Sequence, residues 1–249
     1  MNLHTCFLTK NDCYKAGKTL NVQGLMLHST GAPNTKLSRY VGPDDGLLGA
    51  NRYGNHWNQP TPDGRQVCVH GFIGELKDGS IATYQTLPWT MRGWHAGGSA
   101  NNTHIGVEIC EDNLCDGTYF HEVYQEAVEL FAYLCKQFGL DPLKNIICHA
   151  EGYKQGIASN HGDVLYWFSK HRKTMDDFRR DVKAYMEHGQ EDEEMRYTYY
   201  EQMPDWAKPT VSKLVKKGYL KGEGGGVLNL TEDSLKLLVI NDRAGLYGE

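Results

Sequence analysis

Two histidines stand where a folded sheet would present them to a ligand. His28 closes the alternating apolar run Gly24-Leu25-Met26-Leu27-His28 and leads into the polar turn Ser29-Thr30-Gly31. His149 closes Asn145-Ile146-Ile147-Cys148-His149 ahead of Ala150-Glu151-Gly152. Ligands and metals gather at the strand ends of α/β sheets, where the backbone is rigid and a side chain is still open to solvent. Taken singly, either imidazole is more often an ordinary hydrogen-bonded residue. Joined by a third donor from Ser159-Asn160-His161-Gly162-Asp163, they make three protein ligands with one position open, the composition of a catalytic zinc site. Such a site needs a proton acceptor. Glu108 lies in the apolar run Ile105-Gly106-Val107-Glu108-Ile109-Cys110, and burying a lone carboxylate is costly unless it is paired or used. A structural salt bridge to Lys or Arg would satisfy it. General acid/base work beside an activated water accounts for it better.

These residues require a sheet and helices to hold them. Strands are expected at Gly24 to His28, Arg65 to Leu76, Ile81 to Leu87, Thr103 to Cys110 and Asn145 to His149. The turn Lys77-Asp78-Gly79-Ser80 joins the second and third as a hairpin. Between the last two lies His121 to Phe138, where Val123, Ala127, Phe131, Leu134 and Phe138 recur at helical spacing and Gly139 marks the stop. Strand, helix, strand with short links implies a βαβ unit and a sheet at least partly covered by helices. Thr174-Met175-Asp176-Asp177 resembles a capping box opening a further amphipathic helix. The acidic stretch after it, 189–200, reads as a linker between a domain at 1–188 and a small all-α module at 201–249. In that module one helix ends at Gly218, and Thr231 caps another.

Composition narrows the options. The chain has 249 residues, 40% hydrophobic and 23% charged, which excludes wholesale disorder and repetitive fibrous architectures. A net charge of -5 gives no nucleic-acid footprint. No apolar run approaches the ~20 residues of a membrane span, and Met1-Asn2-Leu3-His4-Thr5-Cys6 lacks the pattern of a signal peptide. Cytoplasmic synthesis as a soluble product is therefore expected. The seven cysteines are scattered without a CxxC pair, which reads as reduced, structural thiols. None lies in an electropositive loop that would make it a nucleophile.

The segments MLHST, VHGFIGELKDGSI, GWHAGGS, NNTHIGVEIC, ICHAEG and ASNHGDVLYWF, in that order over about residues 20 to 185, resemble the type-2 N-acetylmuramoyl-L-alanine amidases. That family includes phage and prophage endolysins and shares its fold with peptidoglycan recognition proteins; the likeness is greatest to clostridial prophage enzymes. The resemblance implies a mixed central β-sheet flanked by helices. It further implies a Zn2+ hydrolase cutting the amide between N-acetylmuramic acid and L-alanine of peptidoglycan. His28 and His149 match the first two metal ligands, and Glu108 matches the glutamate near the metal-activated water. His95 matches a substrate-groove motif, with Trp94 as an aromatic wall. His70 is a further candidate for substrate binding; it adjoins a position where some relatives carry a tyrosine, occupied here by Val69, so that tyrosine's role has no counterpart. The insertion from about Ala32 to Gly64, with His56 and Trp57, is a candidate groove wall.

For the third ligand the segment offers two donors. His161 is the better intrinsic nitrogen ligand. The family register instead puts the ligand at Asp163, five residues before Phe168, and gives His161 the place of a cationic donor to the oxyanion. The module at 201–249 looks like helical repeats appended to such enzymes. Wall anchoring, self-association into a homo-oligomer and stabilisation of the first domain all fit it. Without a signal peptide, the enzyme is expected to reach the wall only after holin-type release or lysis. A recognition domain that grips muropeptides without cutting them is the competing class, and a missing metal ligand would favour it. No membrane insertion and no nucleic-acid partner are expected.

Overall fold

The computed structural model describes residues 1–113, 116–188, 196–222, 224 and 226–248. The chain divides into two compact units, Met1–Glu187 and His188–Glu249. The first is built on a six-stranded sheet of β1 (Leu3–Thr5), β2 (Gly24–Pro33), β3 (Gly71–Glu75), β4 (Ile81–Gln85), β5 (His104–Glu111) and β6 (Ile146–Cys148), in the spatial order β1-β4-β3-β5-β2-β6. Only the β3–β4 hairpin is antiparallel; every other neighbouring pair runs parallel. The sheet is therefore mixed, as expected. Its helices are α1 (Asp12–Ala16), α2 (Gly117–Phe138), α3 (Pro142–Asn145), α4 (His149–Lys154), α5 (Leu165–Lys170) and α6 (Met175–His188).

The βαβ unit exists with one refinement. β5 and β6 are joined through α2, yet they do not pair with each other, because β2 lies between them and is parallel to both. α2 opens where the Asp116 carboxylate accepts from the backbone N–H groups of Thr118 and Tyr119, and it ends at Gly139, whose φ of 64° suits a residue without a Cβ. Its buried stripe includes Tyr119, Val123, Ala127, Phe131 and Leu134. These pack against Leu25, Leu27, Ile105, Val107 and Ile109 in one apolar cluster, each large side chain contributing about 1.5–3 kcal/mol by leaving water. The capping box before α6 is formed: Thr174 Oγ1 accepts from the Asp177 N–H at 3.1 Å, and the Asp177 carboxylate accepts from the Thr174 N–H at 2.9 Å.

Two strand expectations shift. The run Arg65 to His70 is not strand, and Cys68 makes only an isolated bridge to Trp94. β2 continues past His28 to Pro33, with its register against β5 broken between Ser29 and Pro33. The polar Ser29-Thr30-Gly31 stretch bends the strand without ending it. All described cysteines are free thiols.

The second unit contains the two expected helices, α7 (Lys208–Lys216) and α8 (Glu232–Arg243), with Thr231 Oγ1 capping the latter. It is not all helical. β7 (Arg196–Tyr199) and β8 (Val227–Thr231) form an antiparallel pair, so the latter part of the expected linker 189–200 is strand, while 189–195 lie outside the described residues. Tyr197, Leu228 and Leu230 join Met203, Val211, Leu235 and Val239 in a small core. A helical pair alone had too few apolar residues to bury, and the strands supply the rest. Among the described residues no helix is long and apolar enough to cross a membrane.

Candidate metal centre

Strand alternation decides which side chains meet. Successive residues of a strand point to opposite faces, so Leu25, Leu27, Ile105, Val107 and Ile109 face α2 while His28 and Glu108 share the other side. Parallel register makes His28 and Glu108 direct neighbours across β2 and β5. β6 pairs Cys148 with Leu27, which brings the next residue, His149, beside His28. His149 is the first residue of α4, and the start of that helix is fixed from behind. Glu151 accepts from the Cys148 N–H at 3.0 Å and takes a two-pronged ion pair from Arg179 of α6, at 2.9 and 3.0 Å.

The donors converge. His28 Nδ1 lies 3.1 Å from His149 Nδ1 and 3.0 Å from Asp163 Oδ2, and His149 Nδ1 lies 3.7 Å from Asp163 Oδ1. One ligand atom from each of His28, His149 and Asp163 falls within 4.8 Å of the others. Burial disfavours the charged carboxylate of Asp163, but its hydrogen bond with His28, together with the charges of His28 and His149, outweighs that and holds the carboxyl below its ordinary value. Burial alone would lower His28, but the same bond together with the charges of Glu108 and Asp163 raises it. His149 drops to about 4, through burial and then the neighbouring His28.

Glu108 faces the same cavity, of about 680 Å³. Burial pushes its carboxyl up to about 7, and its Oε2 has no hydrogen-bond partner. No ion pair of the described residues holds it, so the structural salt bridge is not formed. A carboxyl that titrates near neutrality, aimed into a cavity beside three convergent donors, is equipped to take and return a proton.

The remaining sequence candidates divide. Trp94 is half-buried and lines the cavity, as a groove wall should. His161 lies exposed at the rim, its Nδ1 3.1 Å from Ser159 Oγ and its ring 4.7 Å from that of His149; Asp163, not His161, stands in the donor cluster. His95 lines the cavity too, but its ring nitrogens are not free for substrate. Its Nδ1 is 2.9 Å from His28 Nε2 and its Nε2 is 3.0 Å from the His104 carbonyl, so both ring nitrogens are engaged by protein. His70 is also corrected. It is fully buried, donates from Nε2 to the Met91 carbonyl at 2.7 Å and accepts the Gly106 N–H on Nδ1 at 3.0 Å. Burial drives it down to about 4, and a second ring proton would meet the Gly106 N–H. It is a neutral crosslink between loop and sheet. Gly93 and Gly106, which lack Cβ atoms, make room for these two rings.

The insertion does wall the cavity, through Arg39, Tyr40 and Trp57, while His56 packs against Gly42 instead. Sequence reasoning missed Tyr40, Arg39, Arg65, Ser159 and Tyr166 as lining residues. Ser159 and Tyr166 sit inside quoted motifs; Tyr40 and Arg39 lie in an insertion whose course no local pattern discloses.

Residues 18–164, more than half of the chain, match the sequence profile of the N-acetylmuramoyl-L-alanine amidases. The chain belongs to that family. A stretch of 88 residues is 32% identical to the N-acetylmuramoyl-L-alanine amidase BlyA of Bacillus subtilis (strain 168), covering 35% of this chain and 22% of that protein. The match thus spans less than a quarter of that relative. Among solved structures, the chain is similar to the Staphylococcus aureus hydrolase AmiA in complex with its ligand, at 16% identity and TM-score 0.49 over 76% of this chain and 84% of the other. It is similar to the catalytic domain of XlyA at 25% identity and TM-score 0.49, over 73% and 99% of the two chains.

Proposed function

We propose that this amidase-family chain is a zinc-dependent peptidoglycan hydrolase that cuts the amide between N-acetylmuramic acid and L-alanine of the stem peptide. The observation that carries the reading is the convergence of His28 Nδ1, His149 Nδ1 and Asp163 within 4.8 Å, beside the unpartnered Glu108. Two imidazole nitrogens and one carboxylate oxygen suit zinc, and three protein ligands leave a position open for chemistry. A zinc ion held there supplies Lewis-acid polarisation of the scissile carbonyl and activates water near neutral pH. Glu108 takes the proton of the attacking water and returns it to the departing alanine nitrogen, work suited to a carboxyl near 7. His161, at the rim beside His149, donates to the developing oxyanion. Trp94 offers an apolar face to sugar or peptide.

We extend the reading to a lytic, endolysin-type role, with the unit His188–Glu249 serving attachment to the wall or association between copies. The test is turbidity of purified cell walls together with zinc content per chain. Clearing by the zinc-loaded protein, loss of clearing with chelator and new N-terminal alanine are expected. Tight wall binding without new amino groups would replace this reading with that of a recognition module.

A further inference from the structure

The two partners of the His95 ring bear on the metal site. An imidazole presents a lone pair to a metal from one nitrogen only, and the partner of the other nitrogen selects which. The His104 carbonyl can only accept, so His95 Nε2, 3.0 Å away, carries the ring proton and His95 Nδ1 carries the lone pair. That lone pair faces His28 Nε2 at 2.9 Å. His28 must then donate from Nε2, which leaves its Nδ1 toward His149 and Asp163. A matching chain serves the second histidine. Ser159 Oγ donates to the Ala96 carbonyl at 3.2 Å and lies 3.2 Å from His149 Nε2, ready to accept its proton. The Asn101 side-chain oxygen, taking the His95 and Ala96 N–H groups at 2.8 Å each, fixes the segment from which both chains start.

The fit around His95 is close. A Cβ on Gly106 would lie 2.5 Å from its ring, and one on Gly93 would lie 2.9 Å from it. The ring is therefore held in one plane.

We propose that His95 and Ser159, anchored on the His104 and Ala96 carbonyls, are positioning residues that fix both metal histidines in the Nε2–H form and so present Nδ1 to the ion. The proposal rests on the zinc reading above. It assigns His95, which lines the cavity with both ring nitrogens engaged, to the metal's outer partners.

The test compares wild type, His95→Leu, His95→Asn and Ser159→Ala as full chains. Zinc affinity is read by competition with a chromophoric chelator, and ring protonation by nitrogen NMR of the zinc-free and zinc-loaded proteins. His95→Leu, with no acceptor, is expected to weaken zinc by 10- to 100-fold, the usual effect of losing an outer-shell partner. His95→Asn, whose side-chain oxygen stands near the lost Nδ1, is expected to stay within about 3-fold of wild type. Ser159→Ala, at a half-buried loop position, is expected to weaken zinc by about 10-fold and supplies the answer should His95→Leu not fold. In wild type, His28 and His149 are expected to carry zinc on Nδ1 with Nε2 protonated. Wild-type affinity in both His95→Leu and Ser159→Ala, or zinc on Nε2, overturns the proposal. Failure of wild type itself to bind zinc would instead overturn the zinc reading.

Discussion

Replacing Glu108 with glutamine separates what the carboxylate does for the reaction from what it costs the fold. Burial lifts it from the ordinary 4.5 to about 7 in the metal-free protein. A raised acid holds its proton more tightly in the native than in the unfolded chain. Its contribution is therefore intact below pH 4.5 and is lost as pH rises through 7. At 1.36 kcal/mol per pH unit, the loss levels off at about 3.4 kcal/mol on the alkaline side. Glutamine has no charge to bury and escapes that loss. In chelator-treated protein, urea unfolding at a series of pH values is expected to show the variant gaining on wild type by about 3 kcal/mol between pH 4.5 and pH 8. A constant offset from a changed hydrogen bond does not affect this slope. On the zinc-loaded protein, kcat is expected to fall by about 100-fold or more, the scale of a lost general base. Parallel stability curves would refute the buried-carboxylate argument, and near-wild-type turnover would refute the catalytic role. The two failures are independent.

Three further outcomes follow from the same geometry. Asp163→Ala should lose zinc, whereas His161→Ala should keep it and lose most activity; the reverse pattern of zinc content would make His161 the third ligand. His70, held neutral with its proton affinity down to about 4, stabilises the fold above pH 6.5, and that share is lost as pH falls toward 4. The gap between wild type and His70→Gln should then narrow by about 3 kcal/mol over that range in urea unfolding, and a gap that stays constant would mean that His70 titrates normally. Deleting residues 196 to 249 should leave cleavage of small soluble muropeptides nearly unchanged while slowing lysis of intact walls; equal loss on both substrates would show that the second unit completes the first.

The parts of this fold legible in sequence are those written in local periodicity. The Asp78-Gly79 turn, the α2 stripe ending at Gly139 and the caps at Thr174 and Thr231 each depend on residues within a few positions of one another. Sheet order does not. That β2 lies between β5 and β6 is set by packing between segments some 80 and 120 residues apart, and nothing local records it. The β7–β8 pair was hidden for a related reason: Arg196–Tyr199 is short, adjoins the acidic stretch and finds its partner only at Val227–Thr231.

The candidate site shows the same division at the level of single atoms. Residue types and strand ends were enough to nominate His28, His149, Glu108 and the pair His161 or Asp163, because metal ligation needs particular donor elements on rigid backbone. Which nitrogen each histidine offers was not legible. That choice depends on the His104 and Ala96 carbonyls, backbone atoms that carry no mark of residue type, and on the absent Cβ atoms of Gly93 and Gly106. The motif Gly93-Trp94-His95-Ala96-Gly97 therefore divides by partner. Trp94 offers its ring to the cavity, whereas His95, also part of the lining, has its ring nitrogens taken by His28 and the His104 carbonyl. Both residues reach the cavity wall, so their place in the motif cannot tell them apart; only the partners of the ring nitrogens do, and those are a side chain 67 positions away and a backbone carbonyl.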